Sequence, residues 1–331
     1  MLGTDSGHTS RAPALARSLR AAAAALAATA ALALALALAL AAQPASAAVR
    51  ESWIAAVPVS WNMIPNGRDA IMGTRYDTSQ TVFPTVVFRR YTKGWKRPLP
   101  NMPRGSSNQN LIPGPLLRAR VGDRLVIHFK NLDRLFKHPH SMHFHGVHYK
   151  PSSDGAYVPG VSGRDADVRY GRTWTYRLRA GSDSAGVWPY HDHSPSMDES
   201  IAGGMYGMLS ILGRGERRPD REFVVVFAPM GQFQTIDGRA FVGNTPVFTS
   251  KVGQTVQWDV MAMGSEHHTF HVHGHRWRAP DGEPRDTQTV GPAESFRFRW
   301  REQDPGTWLY HCHVESHMMA GMIGTYRVKR R

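Results

Sequence analysis

One cysteine, Cys312, serves all 331 residues. An internal disulfide is therefore excluded, and with it the cystine-stapled class of small exported domains. Acidic residues are also few: 26 Asp and Glu stand against 40 Lys and Arg, a formal charge of +14. The basic side chains are scattered and no nucleic-acid-binding motif accompanies them, so they read as a general positive field. Amphipathic helical periodicity is missing beyond the N-terminal segment. What is present instead is short β-branched and aromatic runs such as Arg124–Phe129 and Phe223–Phe227. Ser295–Trp300 alternates polar and aromatic side chains with period two. Gly, Pro and Asp turn signals separate these runs, which predicts an all-β chain of Greek-key sandwiches.

The N-terminus departs from this pattern. Arg11, Arg17 and Arg20 precede an Ala/Leu/Thr run over 21–42, and Ala45 and Ala47 stand in the small-residue positions of a cleavage site. Residues 1–47 read as a secretory signal peptide, which predicts a secreted or cell-envelope protein with no stable membrane association. No adjacent arginine pair marks a twin-arginine route. A lone thiol outside the cell is open to oxidation unless something occupies it, and a metal would do so.

The remaining chain repeats itself. Trp188-Pro189-Tyr190-His191-Asp192-His193 matches Trp308-Leu309-Tyr310-His311-Cys312-His313, 120 residues later. Gly204-Met205-Tyr206-Gly207 matches Gly321-Met322-Ile323-Gly324, and His143-Phe144-His145-Gly146 matches His271-Val272-His273-Gly274. The same motifs in the same order imply two related domains, 48–212 and 222–331, joined by a polar linker over 213–221.

The repeats concentrate metal-binding side chains. Successive side chains of a strand face opposite sides, so Cys312 points away from His311 and His313 and one strand can serve two sites. Two imidazoles, a thiolate and a weak axial methionine make a blue copper site. Cys312, His317 and Met322 supply three of those ligands, and His268 is placed to supply the fourth. Four His-x-His pairs remain: His143/His145, His191/His193, His271/His273 and His311/His313. Eight imidazoles exceed the needs of one ion and suit a cluster of coppers. In the first repeat Asp192 replaces the cysteine and Met197 the histidine five residues on, so that repeat is expected to lack a blue site, with His140 either its relic or a residue that supports the ligands from behind.

These motifs closely resemble those of the multicopper oxidases, and the short two-repeat form looks like the bacterial small laccases. The resemblance covers nearly the whole chain after the signal. It implies two cupredoxin domains and four coppers per chain. The implied type 1 ligands are His268, Cys312, His317 and Met322. The implied type 2 ligands are His143 and His271, and the type 3 ligands are His145, His191, His193, His273, His311 and His313. Electrons from phenols or similar donors would enter at His317, pass through Cys312 to His311 and His313, and reduce dioxygen to water. Asp154 matches an acidic residue placed beside the cluster for proton supply, Tyr149 a tyrosine near the type 2 copper, and Asp286 is a second acidic candidate. The resemblance also implies a head-to-tail homotrimer, with the cluster between domain one of one chain and domain two of the next. The alternatives are a cuprous, ferrous or manganous oxidase, a copper nitrite reductase, and a copper-binding electron-transfer or storage protein.

Overall fold

The computed structural model describes residues 47–103, 110–279 and 281–330. The signal reading over 1–47 lies, apart from Ala47, outside the described residues. Among the described residues, no helix is long and apolar enough to cross a membrane.

The structure is almost wholly β, built from four main sheets. Two come from the first repeat. One orders Val82–Tyr91, Val49–Asn62, Arg124–Asn131, Thr173–Arg179 and His148–Tyr149. The other orders Leu117–Arg120, Tyr206–Leu212, Gly186–His191 and His143–Phe144. The second repeat supplies Phe233–Ile236, Arg221–Met230, Thr255–Ala262 and Ser295–Arg301 in one sheet. Its other sheet orders Val247–Lys251, Ile323–Lys329, Gly306–Cys312, His268–Val272 and Thr287–Val290.

The topology repeats as the motifs do. Val49–Asn62 pairs antiparallel with Val82–Tyr91 and parallel with Arg124–Asn131. Arg221–Met230 likewise pairs antiparallel with Phe233–Ile236 and parallel with Thr255–Ala262. Each repeat is a cupredoxin-like sandwich with its own apolar interior. Phe88, Phe129, Tyr176 and Tyr190 fill the first, and Phe248, Trp258, Tyr310 and Tyr326 the second. Burying each such side chain contributes about 1.5–3 kcal/mol. The hydroxyls are satisfied in parallel, Tyr190 donating to Pro115 O at 2.6 Å and Tyr310 to Pro246 O at 2.7 Å.

A third apolar cluster joins the halves, with Val57, Trp61 and Met208 against Val224, Val226 and Met261. The alternation of Ser295–Arg301 contributes here in a way the strand pattern does not announce. Its polar face grips the other repeat: Arg297 donates to Gly186 O and Ile211 O at 3.0 Å and ion-pairs with buried Asp259 at 3.2 Å.

The glycine after each first His pair has a packing reason. Gly146 and Gly274 hold φ near +70°, and a Cβ there would meet the indoles of Trp188 and Trp308 at 2.0 and 2.7 Å. The His-x-His-Gly and Trp-x-Tyr-His motifs therefore lock together, which brings the two histidine pairs of each repeat side by side.

Candidate metal centres

Cys312 ends the strand Gly306–Cys312, and His268 opens the strand His268–Val272 that pairs with it, Phe270 opposite Cys312. His317 comes from the short helix Glu315–Met319 that follows. Cys312 Sγ lies 3.8 Å from His268 Nδ1 and 3.7 Å from His317 Nδ1, and the two nitrogens are 3.1 Å apart. Cys312 and His268 are fully buried. Burial, together with the neighbouring His317, depresses the His268 pKa to about 4, so its imidazole is neutral at pH 7. Burial pushes the Cys312 thiol up. Met322, also fully buried, donates its N–H to His317 O at 3.0 Å, and its carbonyl accepts from Cys312 N at 3.1 Å. His317 Nε2 stands 3.3 Å from Glu266 Oε2, which leaves Nδ1 as the free lone pair.

The His-x-His pairs form two quartets. His143, His145, His191 and His193 cluster, mostly edge to face, with ring centroids 5.1–5.6 Å apart, and His143 pairs with His191 across the strands. His271, His273, His311 and His313 repeat this at 5.2–5.4 Å. Backbone carbonyls fix the tautomers. His143 Nδ1 donates to Asp154 O and His271 Nδ1 to Asp286 O, both at 2.7 Å. His191 Nδ1 donates to Asp192 O at 2.9 Å and His311 Nδ1 to Cys312 O at 2.8 Å.

The Nε2 atoms of His191 and His311 are thereby left as lone pairs. His145 Nε2 and His191 Nε2 are 3.2 Å apart, and His273 Nε2 and His311 Nε2 are 3.1 Å apart. Burial first, then neighbouring imidazoles, pulls His145 to about 4. Burial brings His191 and His311 to about 4 as well. Neutral imidazole nitrogens this close offer a cation ready ligands. The donor sets therefore fit copper: two nitrogens and a thiolate in one centre, imidazoles alone in the quartets. Among the described residues, no group of mutually close donors mixes the two quartets.

The expected acid–base residues stand nearby in different ways. Asp154 Oδ1 is 3.5 Å from His143 Nδ1, and the Tyr149 ring lies 6.2 Å from that imidazole. Burial and then Asp154 push the Tyr149 hydroxyl up to about 12, so it is protonated at neutral pH. Asp286 meets His271 through its backbone carbonyl, and its carboxylate accepts instead from Thr287 at 3.2 Å.

Sequence reasoning missed three groups. Glu266, two residues before His268, stands 3.3 Å from His317 Nε2. His275 donates from Nδ1 to His273 O at 2.7 Å and meets buried Glu302 at 3.2 Å. Although burial would raise it, Glu302 is held down to about 2 by His275 and Tyr326. Asp133, wholly buried, joins His140 and Asp192. The one available signal was spacing: His275 falls two residues beyond His273.

Two family models, both described as multicopper oxidase, match residues 103–216 and 217–331. The chain is 28% identical over 348 residues to the human ferroxidase HEPHL1, an alignment covering 84% of this chain and 29% of that protein. It is 28% identical to human ceruloplasmin over 338 residues, covering 84% of this chain and 30% of ceruloplasmin. The chain thus spans less than a third of the length of these curated relatives. A solved multicopper oxidase superposes with a TM-score of 0.65 at 25% identity, covering 85% of this chain and 89% of the other.

Proposed function

The chain belongs to the multicopper oxidase family, and from that premise we propose that it is an oxygen-reducing copper oxidase with a metal cation as electron donor. Bound copper would supply one-electron oxidation at the thiolate site and four-electron reduction of dioxygen to water at a trinuclear cluster. His268, Cys312, His317 and Met322 would hold the type 1 ion. His143 and His271 would hold the type 2 ion, and His145, His191, His193, His273, His311 and His313 the type 3 pair, four coppers per chain in all. Cys312 links the two kinds of site covalently, through its own backbone to His311 and His313. Asp154, whose carbonyl holds His143, would supply protons to the cluster, and Tyr149, with its ring 6.2 Å from that imidazole, would donate an electron during reoxidation.

One observation carries the choice of donor. The carboxylate of Glu266 is held by Gln234 Nε2 at 2.7 Å and stands 3.3 Å from the outer nitrogen of His317. That carboxylate is partly open to solvent while His317 is largely covered. An anionic group at the imidazole edge attracts a cation such as Fe(II) or Cu(I) and gives a neutral phenol no charge to meet. The ferroxidase relatives support the same reading. Phenol oxidation, the laccase reading, is kept as the second because the motif set resembles small laccases.

Each quartet supplies half of a cluster, and His273 and His313 are exposed. A head-to-tail homotrimer would bring one chain's first quartet to the next chain's second. The leader-like residues 1–47 support export to the cell envelope or beyond.

The test is copper stoichiometry together with oxygen uptake. Four coppers per chain, and oxygen consumption driven faster by Fe(II) or Cu(I) than by a simple phenol, are expected. One or two coppers per chain would overturn the oxidase, and a preference for the phenol would overturn the cation.

A further inference from the structure

The first repeat keeps the frame of the thiolate centre but fills it differently. Asp192 N donates to Met205 O at 3.0 Å, as Cys312 N does to Met322 O at 3.1 Å. Ser141 N donates to Asp192 Oδ1 at 2.6 Å, as Thr269 N does to Cys312 Sγ at 3.3 Å. The carboxylate thus occupies the place of the thiol. His140 occupies the place of His268, and both are buried. Met197 brings no second imidazole and opens the helix Met197–Ala202.

A second carboxylate arrives from elsewhere. Asp133 Oδ2 meets His140 Nε2 at 3.3 Å, while Asp192 Oδ2 meets His140 Nδ1 at 3.2 Å. Asp133, His140 and Asp192 are each at most 2% exposed. Buried charges of this kind persist only when hydrogen bonds satisfy them. Asp133 accepts from the N–H groups of Leu135, Phe136 and His138, and Asp192 accepts from Ser194 Oγ at 2.8 Å. Ser141 completes the link, its Oγ accepting from His193 N at 3.1 Å. One face of this group therefore touches the stretch that leads into His143, and another the stretch that carries His191 and His193.

We propose that Asp192 is a positioning residue: with His140, Asp133 and Ser141 it forms a metal-free clamp that holds the two histidine arms of the first quartet in register. It does there what a metal bound at Cys312 would do in the second repeat. This rests on reading the quartets as copper ligands. The first quartet is then set before any metal arrives, because its clamp consists of charge and hydrogen bonds alone.

Leu at position 192 offers no acceptor, whereas Asn, close to Asp in size, keeps an oxygen for Ser141 N. The copper-loaded full chain would be compared as wild type, Asp192→Leu, Asp192→Asn and Ser141→Ala. The readouts are copper affinity of the cluster, the type 2 electron paramagnetic resonance spectrum and the blue absorption of the Cys312 site. Asp192→Leu is expected to keep the blue band and lose about 10- to 100-fold in cluster copper affinity, with an altered type 2 spectrum. Asp192→Asn is expected to restore both. A blue Asp192→Leu protein with wild-type cluster affinity and spectrum would overturn the clamp. Should Asp192→Leu fail to fold, Ser141→Ala leaves the buried charges intact and removes only the bridging oxygen. An unchanged type 2 spectrum in that variant would overturn the proposal equally. A wild type that binds a single copper would instead refute the underlying reading of the quartets.

Discussion

Raising the pH should loosen the first repeat, and His140 sets the window. Burial alone would lower its pKa, but Asp133 and Asp192 raise it from 6.5 to about 9. A histidine raised on folding contributes stability that is fully present below its unfolded pKa and lost as pH climbs through the folded one. The window is therefore about pH 6.5 to 9. The gap corresponds to roughly 3 kcal/mol, with a slope approaching about 1.4 kcal/mol per pH unit. Asp133 and Asp192 are lowered by the same contacts, so the interaction is counted once, on the histidine. Asp259, pushed by burial to about 7, titrates in this range, and His275 is raised by Glu302 although burial would lower it; both are common to the two proteins compared, so His140 is read from their difference. The quartet histidines His145, His191 and His311 are depressed and titrate below this range, while the Cys312 thiol and the buried tyrosines are raised and act above it. The assay is urea unfolding of the copper-free protein at several pH values between 6 and 9, wild type against His140→Gln. The wild type should lose stability across the window. The variant should begin about 3–5 kcal/mol weaker, with two carboxylates left uncompensated, and show a shallower slope. Equal slopes in the two proteins would refute the charge assignment at His140.

Three further outcomes are expected. Glu266→Gln keeps a partner for Gln234 but removes the charge beside His317, so kcat/KM for Fe(II) should fall roughly tenfold or more, about 1.4 kcal/mol, while a neutral phenol changes little; equal losses would remove the cation from the argument. Dilution should abolish oxygen reduction as the proposed trimer dissociates, with the blue absorption retained, and gel filtration at matched concentrations checks this; full activity in the monomer contradicts an intermolecular cluster. Gly155→Ala forces a Cβ to within 2.3 Å of Met142 O at a φ of +70°. It should cost about 1–3 kcal/mol in chemical denaturation, and a neutral effect would mean the turn beside Asp154 is not strained.

The strand pattern, the duplication and the donors that converge at Cys312 were legible in the chain itself. Such features are local: alternation sets which way His311, Cys312 and His313 point, and the loop from Cys312 to Met322 is too short to carry His317 far. The repeat then made the quartets readable, because the same local rule applied twice. Tertiary structure alone decided what stands around those donors. Glu266 meets His317 across 51 residues, Asp192 meets His140 across 52, and Arg297 crosses to Ser210 across 87. No periodicity links such partners, since they meet only when two sheets pack and buried charge must find opposite charge or hydrogen bonds. Sequence determined which atoms can hold copper here. Packing decided which carboxylates aim them, because an acid far along the chain is just another turn or surface residue until the fold buries it.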